Sequence, residues 1–155
     1  MGRRILALSL AIGVGTLCAA DLAPTKEERA VAEIRSIAMA VESFGVDHAV
    51  YPSSSGRVLA APAVLSVLVP TFIRTLPELD AFGGTYIYWS EGTKYVLIST
   101  GSDRTPDVDY SKLMVGNAEH FATTICHGRT ESDKEDIVFF DGKFCQWYLA
   151  GNRGS

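Results

Sequence analysis

Three aspartates stand within seven residues of one polar stretch, Thr100 to Asp109 (TGSDRTPDVD): Asp103, Asp107 and Asp109, with Ser102 and Thr105 as further oxygen sources. Calcium takes six to eight hard oxygen ligands at flexible geometry, and an irregular loop can bend carboxylates and carbonyls around such an ion. The spacing is not that of an EF-hand, because Pro106 interrupts it and no glutamate occupies the twelfth loop position. An exposed acidic turn is the alternative, with Arg104 available to neutralise one aspartate. Other constellations are weaker. His48, His120 and His127 share no i,i+4 spacing, and Cys126-His127 lacks the further cysteines of a zinc site. Ser53-Ser54-Ser55-Gly56 has neither the glycines of a nucleophile elbow nor the lysine of a phosphate loop. Glu131, Asp133, Glu135 and Asp136 read as a charged, solvated run rather than a catalytic carboxylate pair. Tyr86, Tyr88, Trp89 and Tyr95 could line a ligand groove, but cross-strand packing in a hairpin accounts for them. A catalytic residue does not emerge from the sequence.

The compartment bears on how the cysteines behave. Arg3 and Arg4 precede an apolar run from Ile5 to about Val14, and small residues at Cys18 and Ala20 lead to a cut before Asp21. That is the plan of a secretory signal peptide over residues 1–20. A membrane anchor is the alternative, with an apolar run short of the ~20 residues a span needs. Acylation of Cys18 would want a small residue before it, where Leu17 stands. The chain carries 155 residues and a net charge of −4. Removal of residues 1–20 takes two arginines and no acid, leaving twelve basic and eighteen acidic residues, net −6. Such a balance, with no dense basic stripe, disfavours nucleic acid as a partner. It also leaves Cys126 and Cys145 as an even pair in an exported chain, where a disulfide is expected. A catalytic Cys126 with a histidine base is the less favoured use of that residue.

The elements that must position these groups follow from periodicity. Thr25 and Glu28 have the spacing of a capping box, and apolar residues recur at Val31, Ile34, Ile37, Ala38, Val41 and Phe44. One amphipathic helix is expected from Thr25 to about Val46. Pro62 and Pro70 break the apolar run 58–73 and leave room for a short helix near Ala63–Leu68. Thr75–Phe82 reads as extended, with a reversal at Gly83-Gly84. The segments TYIYW and YVLIS around Ser90–Lys94 make one hairpin. IVFF and KFCQWY around Asp141-Gly142 make a second. A short helix is conceivable at Asn117–Thr123, and a disordered tail is expected at 151–155. The fold class expected is α+β: a long N-terminal helix packed on a small antiparallel sheet of hairpins, forming a single domain over residues 21–150.

With those pieces in order, the chain resembles the globular head of the major pseudopilin of type II secretion, the G protein. The resemblance covers Arg29 to Asp109, about half the chain. RAVAEIRSIAMAVESFGVDHAVYP is similar to the family's helix leading into Tyr-Pro; LPELDAFGGTYIYW is similar to its Leu-Pro, Asp, aromatic-Gly and Tyr-x-Tyr succession; YVLISTGSDRTPDVD is similar to its strand feeding an acidic loop. The resemblance implies a pseudopilin-like head, and calcium held through Asp103 with Asp107 and Asp109. It further implies a structural role without catalysis and partners among other envelope or secretion-system proteins. Family members start with a prepilin leader cut just before an apolar stretch that opens with an aromatic residue and has glutamate at its fifth position. Here a conventional secretory signal takes that place, and Asp21–Pro24 separates it from the helix. A periplasmic or secreted head without the polymerising segment is therefore expected, with membrane contact only if residues 1–20 are retained. The segment from about Ser111 onward lies outside the resemblance. A small periplasmic binding protein or hydrolase reusing the fold is the alternative function. A deep cleft lined by Trp89 or Trp147 with carboxylates would favour it.

Overall fold

The computed structural model describes residues 23–107, 109–110 and 126–148. The expectations for the signal segment 1–20, for a helix at Asn117–Thr123 and for the tail 151–155 lie outside these residues.

Helix α1 runs Lys26–His48, two residues beyond the expected end. Its start is fixed by a reciprocal cap: the Glu28 amide donates to the Thr25 hydroxyl at 3.2 Å, and the Thr25 amide donates to the Glu28 carboxylate at 2.9 Å. Its end is a left-handed Ala49. His48 sits in the last turn, stacked on Phe44 with ring centroids 3.9 Å apart. Twenty-three residues at ~1.5 Å rise make a rod of about 34 Å. Ile34, Ile37, Ala38 and Val41 are buried along it, and Val31 and Phe44 flank them half-buried. The apolar stripe faces the sheet, as its period requires.

After α1 the chain forms β1 (Leu59–Ala60), α2 (Ala61–Leu65) and one 3-10 turn at Ser66–Leu68. Helix α2 starts two residues earlier than expected because Pro62 occupies its first turn, where a missing N–H costs nothing. Strands β2 (Ile87–Ser90) and β3 (Tyr95–Ser99) pair antiparallel, and β5 (Ile137–Phe140) and β6 (Lys143–Trp147) form the second hairpin. Asp141 and Gly142 turn it with φ of 43° and 88°, the left-handed pair that a tight two-residue loop needs. Strand β3 pairs antiparallel with β5, so the two hairpins fuse into one sheet of order β1-β2-β3-β5-β6-β4. The two-residue β4 (Gly128–Arg129) is parallel to β6 at the edge. The Cys126–Cys145 disulfide, with Cα atoms 4.7 Å apart, ties the lead-in of β4 to β6. The fold is α+β, a long helix on a mostly antiparallel sheet.

The sheet buries both faces, which a half-solvated hairpin pattern does not announce. Tyr95 and Leu97 of β3 join the α1 cluster, whereas Val96 and Ile98 join a second cluster with Trp89, Tyr110, Val138 and Phe140. All five residues of β3 are buried, as befits its place in the middle of the sheet. Different parts of the chain therefore pack on the two faces: α1 on one, and among the described residues Tyr110, Val58 and Cys126 on the other.

Candidate functional site

The acidic loop leaves the end of β3 and lies on the segment that enters β5. Gly101 makes this approach possible. Its φ is +64°, and a Cβ there would fall 2.5 Å from the Lys134 carbonyl oxygen and 2.8 Å from that of Glu135. The Ser102 amide donates to the Asp133 carbonyl at 2.8 Å.

The three predicted aspartates have different surroundings. Asp103 is exposed and turned on its own loop, its Oδ1 accepting from the Thr105 amide at 2.9 Å. Asp109 is exposed. Asp107, exposed as well, turns toward Asp136 in a reciprocal arrangement: the Asp136 amide donates to Asp107 Oδ2 at 2.6 Å, and the Asp107 amide donates to Asp136 Oδ2 at 3.0 Å. Among the described residues no three His, Cys, Asp or Glu side chains are grouped so as to hold a metal. The groups that do meet are the carboxylates of Asp107 and Asp136 and, from β6, the side-chain amide nitrogen of Gln146. Gln146 Nε2 lies 3.0 Å from the Asp136 carbonyl and 3.4 Å from Asp107 Oδ2.

Asp136 is the residue the sequence reading placed wrongly. It belongs to a charged run expected to be solvated, yet it is fully buried while Glu131 is exposed. The reason is its position immediately before β5: there its side chain turns inward to take the Tyr110 hydroxyl and the Asp107 amide. Burial pushes its carboxyl up to about 6, and the neighbouring Asp107 and Asp103 charges add to that, while the Tyr110 and Asp107 donors oppose it. The Tyr110 hydroxyl is pushed upward by burial and by the Asp136 charge. Asp136 Oδ1 and Gln146 Oε1 are both buried and find no hydrogen-bond partner among the described residues. One orphaned oxygen, Asp136 Oδ1, belongs to the carboxylate pair, whereas Gln146 turns its nitrogen toward that pair.

The remaining sequence candidates are structural. Ser54 is buried; its hydroxyl donates to the Ser90 carbonyl at 3.1 Å and accepts from the Ser90 amide at 2.9 Å, so the serine run latches onto the end of β2. Tyr86, Tyr88, Trp89 and Tyr95 are all fully buried. The Tyr86 and Tyr95 hydroxyls cross to α1 and donate to Glu33 and Glu42 at 2.7 and 2.8 Å. His127 is exposed, and His120 lies outside the described residues. A groove of about 430 Å³ opens between the end of α1 and the β2–β3 turn. Its one carboxylate, Glu42, is the acceptor for Tyr95, and neither Trp89 nor Trp147 lines it. One buried carboxylate, Asp80, belongs to the LPELDAFGG stretch of the resemblance, which gave it no role. Asp80, buried, accepts from the Phe82 and Gly84 amides at 3.0 and 2.7 Å and from the Ser99 hydroxyl at 2.5 Å, which fixes the reversal before β2. The Asp-x-x-Gly-Gly spacing was the available signal.

Comparison with known proteins bears on this arrangement. A search of curated proteins returned no match. A family model described as "Type II secretion system (T2SS), protein G" matches residues 19–118, which takes in α1, the first hairpin and the acidic loop. That span is well over half of the chain, and with the long helix packed on an antiparallel sheet it shows that the chain belongs to the type II secretion system protein G family.

Proposed function

We propose that the protein is an exported, non-enzymatic pseudopilin-like head that works by protein–protein contact within type II secretion, with calcium stabilising the loop after β3. The observation that carries the secretion role is the family match across residues 19–118. The acidic loop is the surface offered to other secretion-system proteins, since both faces of the sheet are covered within the chain, and the mature chain is periplasmic or secreted, starting at Asp21. What supports the calcium part is the set of carboxylates in and beside the loop, Asp103, Asp107 and Asp109 with the neighbouring Asp136. Calcium when bound supplies positive charge and a demand for oxygen ligands. The chain's own part is mechanical: Gly101 lets the loop lie close, and the Ser102 amide and Asp107 hold it against the entry to β5. The bound state is then a stiffer loop, not a reacting centre.

Deletion of the coding sequence in the source cell tests the role. Proteins exported through type II secretion should accumulate in the periplasm and return to the medium when the wild-type chain is restored. Secretion unchanged by the deletion contradicts the reading. Mass spectrometry of the exported protein should find Asp21 as its first residue; a chain retaining residues 5–20 would instead place it on the membrane.

A further inference from the structure

A groove of about 300 Å³ lies between α1 and the β5–β6 hairpin, on the α1 side of the sheet. Its helix wall follows from spacing: Arg35, Met39 and Glu42 stand at i, i+4 and i+7, on one stripe of α1. The hairpin wall includes Lys143 and Phe144 at the start of β6. Met39 is 64% exposed there, and a flexible, polarizable thioether left in water at a groove adapts readily to an incoming apolar side chain. The charge of the groove runs against that of the chain. The sequence carries a net −4, yet Arg35 and Lys143 stand one on each wall, and neither forms an ion pair among the described residues. Arg35 lies over the Phe144 ring, 5.6 Å from its centroid. That contact uses the face of the guanidinium and leaves its N–H edge for a carboxylate. Glu42, the acid of the lining, accepts from the Tyr95 hydroxyl at 2.8 Å, so among the described residues two cations face one anion.

We propose that this groove docks an acidic segment of a partner protein, with an apolar side chain entering against Met39 and Phe144 while flanking carboxylates meet Arg35 and Lys143. Charge complementarity sets the sign of the partner, and the apolar walls set what stands between its acids. A second copy of this chain fits less well. Its own acidic stretches carry a cation inside them, Arg104 between Asp103 and Asp107 and Lys134 between Asp133 and Glu135, and copies of one acidic chain repel each other. None of the groove residues belongs to the acidic loop after β3, so the surface is a second one, independent of the calcium reading. Its hairpin wall lies beyond residue 118, where the family match ends.

Fluorescence anisotropy of a short fluorescein-labelled peptide, one phenylalanine among glutamates, tests this on the full exported chain. Binding should be seen at low ionic strength and weaken as salt screens the two cations. The same peptide with glutamine for glutamate, or with alanine for phenylalanine, should bind about fivefold more weakly or worse. Arg35→Gln and Lys143→Gln should each weaken the glutamate peptide by about fivefold or more. Arg57→Gln, which removes an exposed cation outside the groove, should change it by about twofold at most. Arg35→Glu combined with Lys143→Glu should turn the preference toward a peptide with lysine for glutamate, a reversal that misfolding cannot produce. A wild type that does not bind the glutamate peptide overturns the proposal, as does an equal loss in Arg57→Gln, which would mark the attraction as unspecific. Sedimentation that shows the wild type self-associating, with Arg35→Gln and Lys143→Gln monomeric, would also overturn it, because the occupant would then be a second copy. Since peptide binding is read on the purified chain, its failure is distinct from a failure of the secretion role.

Discussion

Asp136 concentrates the tension of this molecule in one side chain. Its carboxyl is raised from an ordinary 3.8 to about 6, first by burial and then by the charges of Asp107 and Asp103. A carboxyl whose folded value is raised takes up its proton more readily in the folded state than in the unfolded chain. Its favourable contribution is therefore complete below about pH 4 and is lost as pH rises through about 6. With calcium removed by chelator, stability should fall between pH 4 and pH 6 by on the order of 1–2 kcal/mol more in the wild type than in Asp136→Asn. Urea unfolding across that window measures it; identical pH slopes for the two proteins would show that Asp136 is not the titrating group. Asn at this position still offers an oxygen to Tyr110, so the comparison isolates charge. Asp80 makes the contrasting case: equally buried, it spends both oxygens on the Phe82 and Gly84 amides and the Ser99 hydroxyl, and it is not left with an orphan.

Among the elements, those with strong local signals were legible in advance. The capping box at Thr25 and the 3.6-residue stripe specify α1, and the aromatic, β-branched runs around Ser90–Lys94 and Asp141-Gly142 specify both hairpins. What the sequence did not reveal were relations between distant segments. The pairing of β3 with β5 joins residues some forty positions apart, and nothing local encodes it. The same holds for Ser54 latching onto Ser90 and for Asp136 turning toward Asp107, since a charged run looks solvated until a loop covers it. The candidate site was accordingly half visible: its loop carboxylates stand out, whereas Asp136 and Gln146 become neighbours only through the sheet. The Cys126–Cys145 bridge, expected from compartment and number, closes about 20 residues and pins the short β4 against β6. By the chain-entropy relation it contributes about 3 kcal/mol. Cys126→Ser with Cys145→Ser should lower unfolding free energy by roughly that amount in urea melts; an unchanged midpoint would show that the edge is held by packing alone.

At the scale of the whole molecule, a protein G family head and a C-terminal hairpin share one sheet. The family match ends at residue 118, yet β5 sits beside β3 in the middle of the sheet order, so the C-terminal segment is built into the core. Two apolar clusters lie on the two faces of that sheet, and the acidic loop runs where the second one closes over Tyr110. A ligand at that junction bears on both parts at once, and a ligand that binds only the folded state raises its stability in proportion to saturation. The most direct test is thermal unfolding of the purified exported chain in millimolar calcium and in chelator. Calcium at about 100 times its dissociation constant should raise the midpoint by about 5 °C or more. A midpoint that is the same in calcium and in chelator would contradict the account.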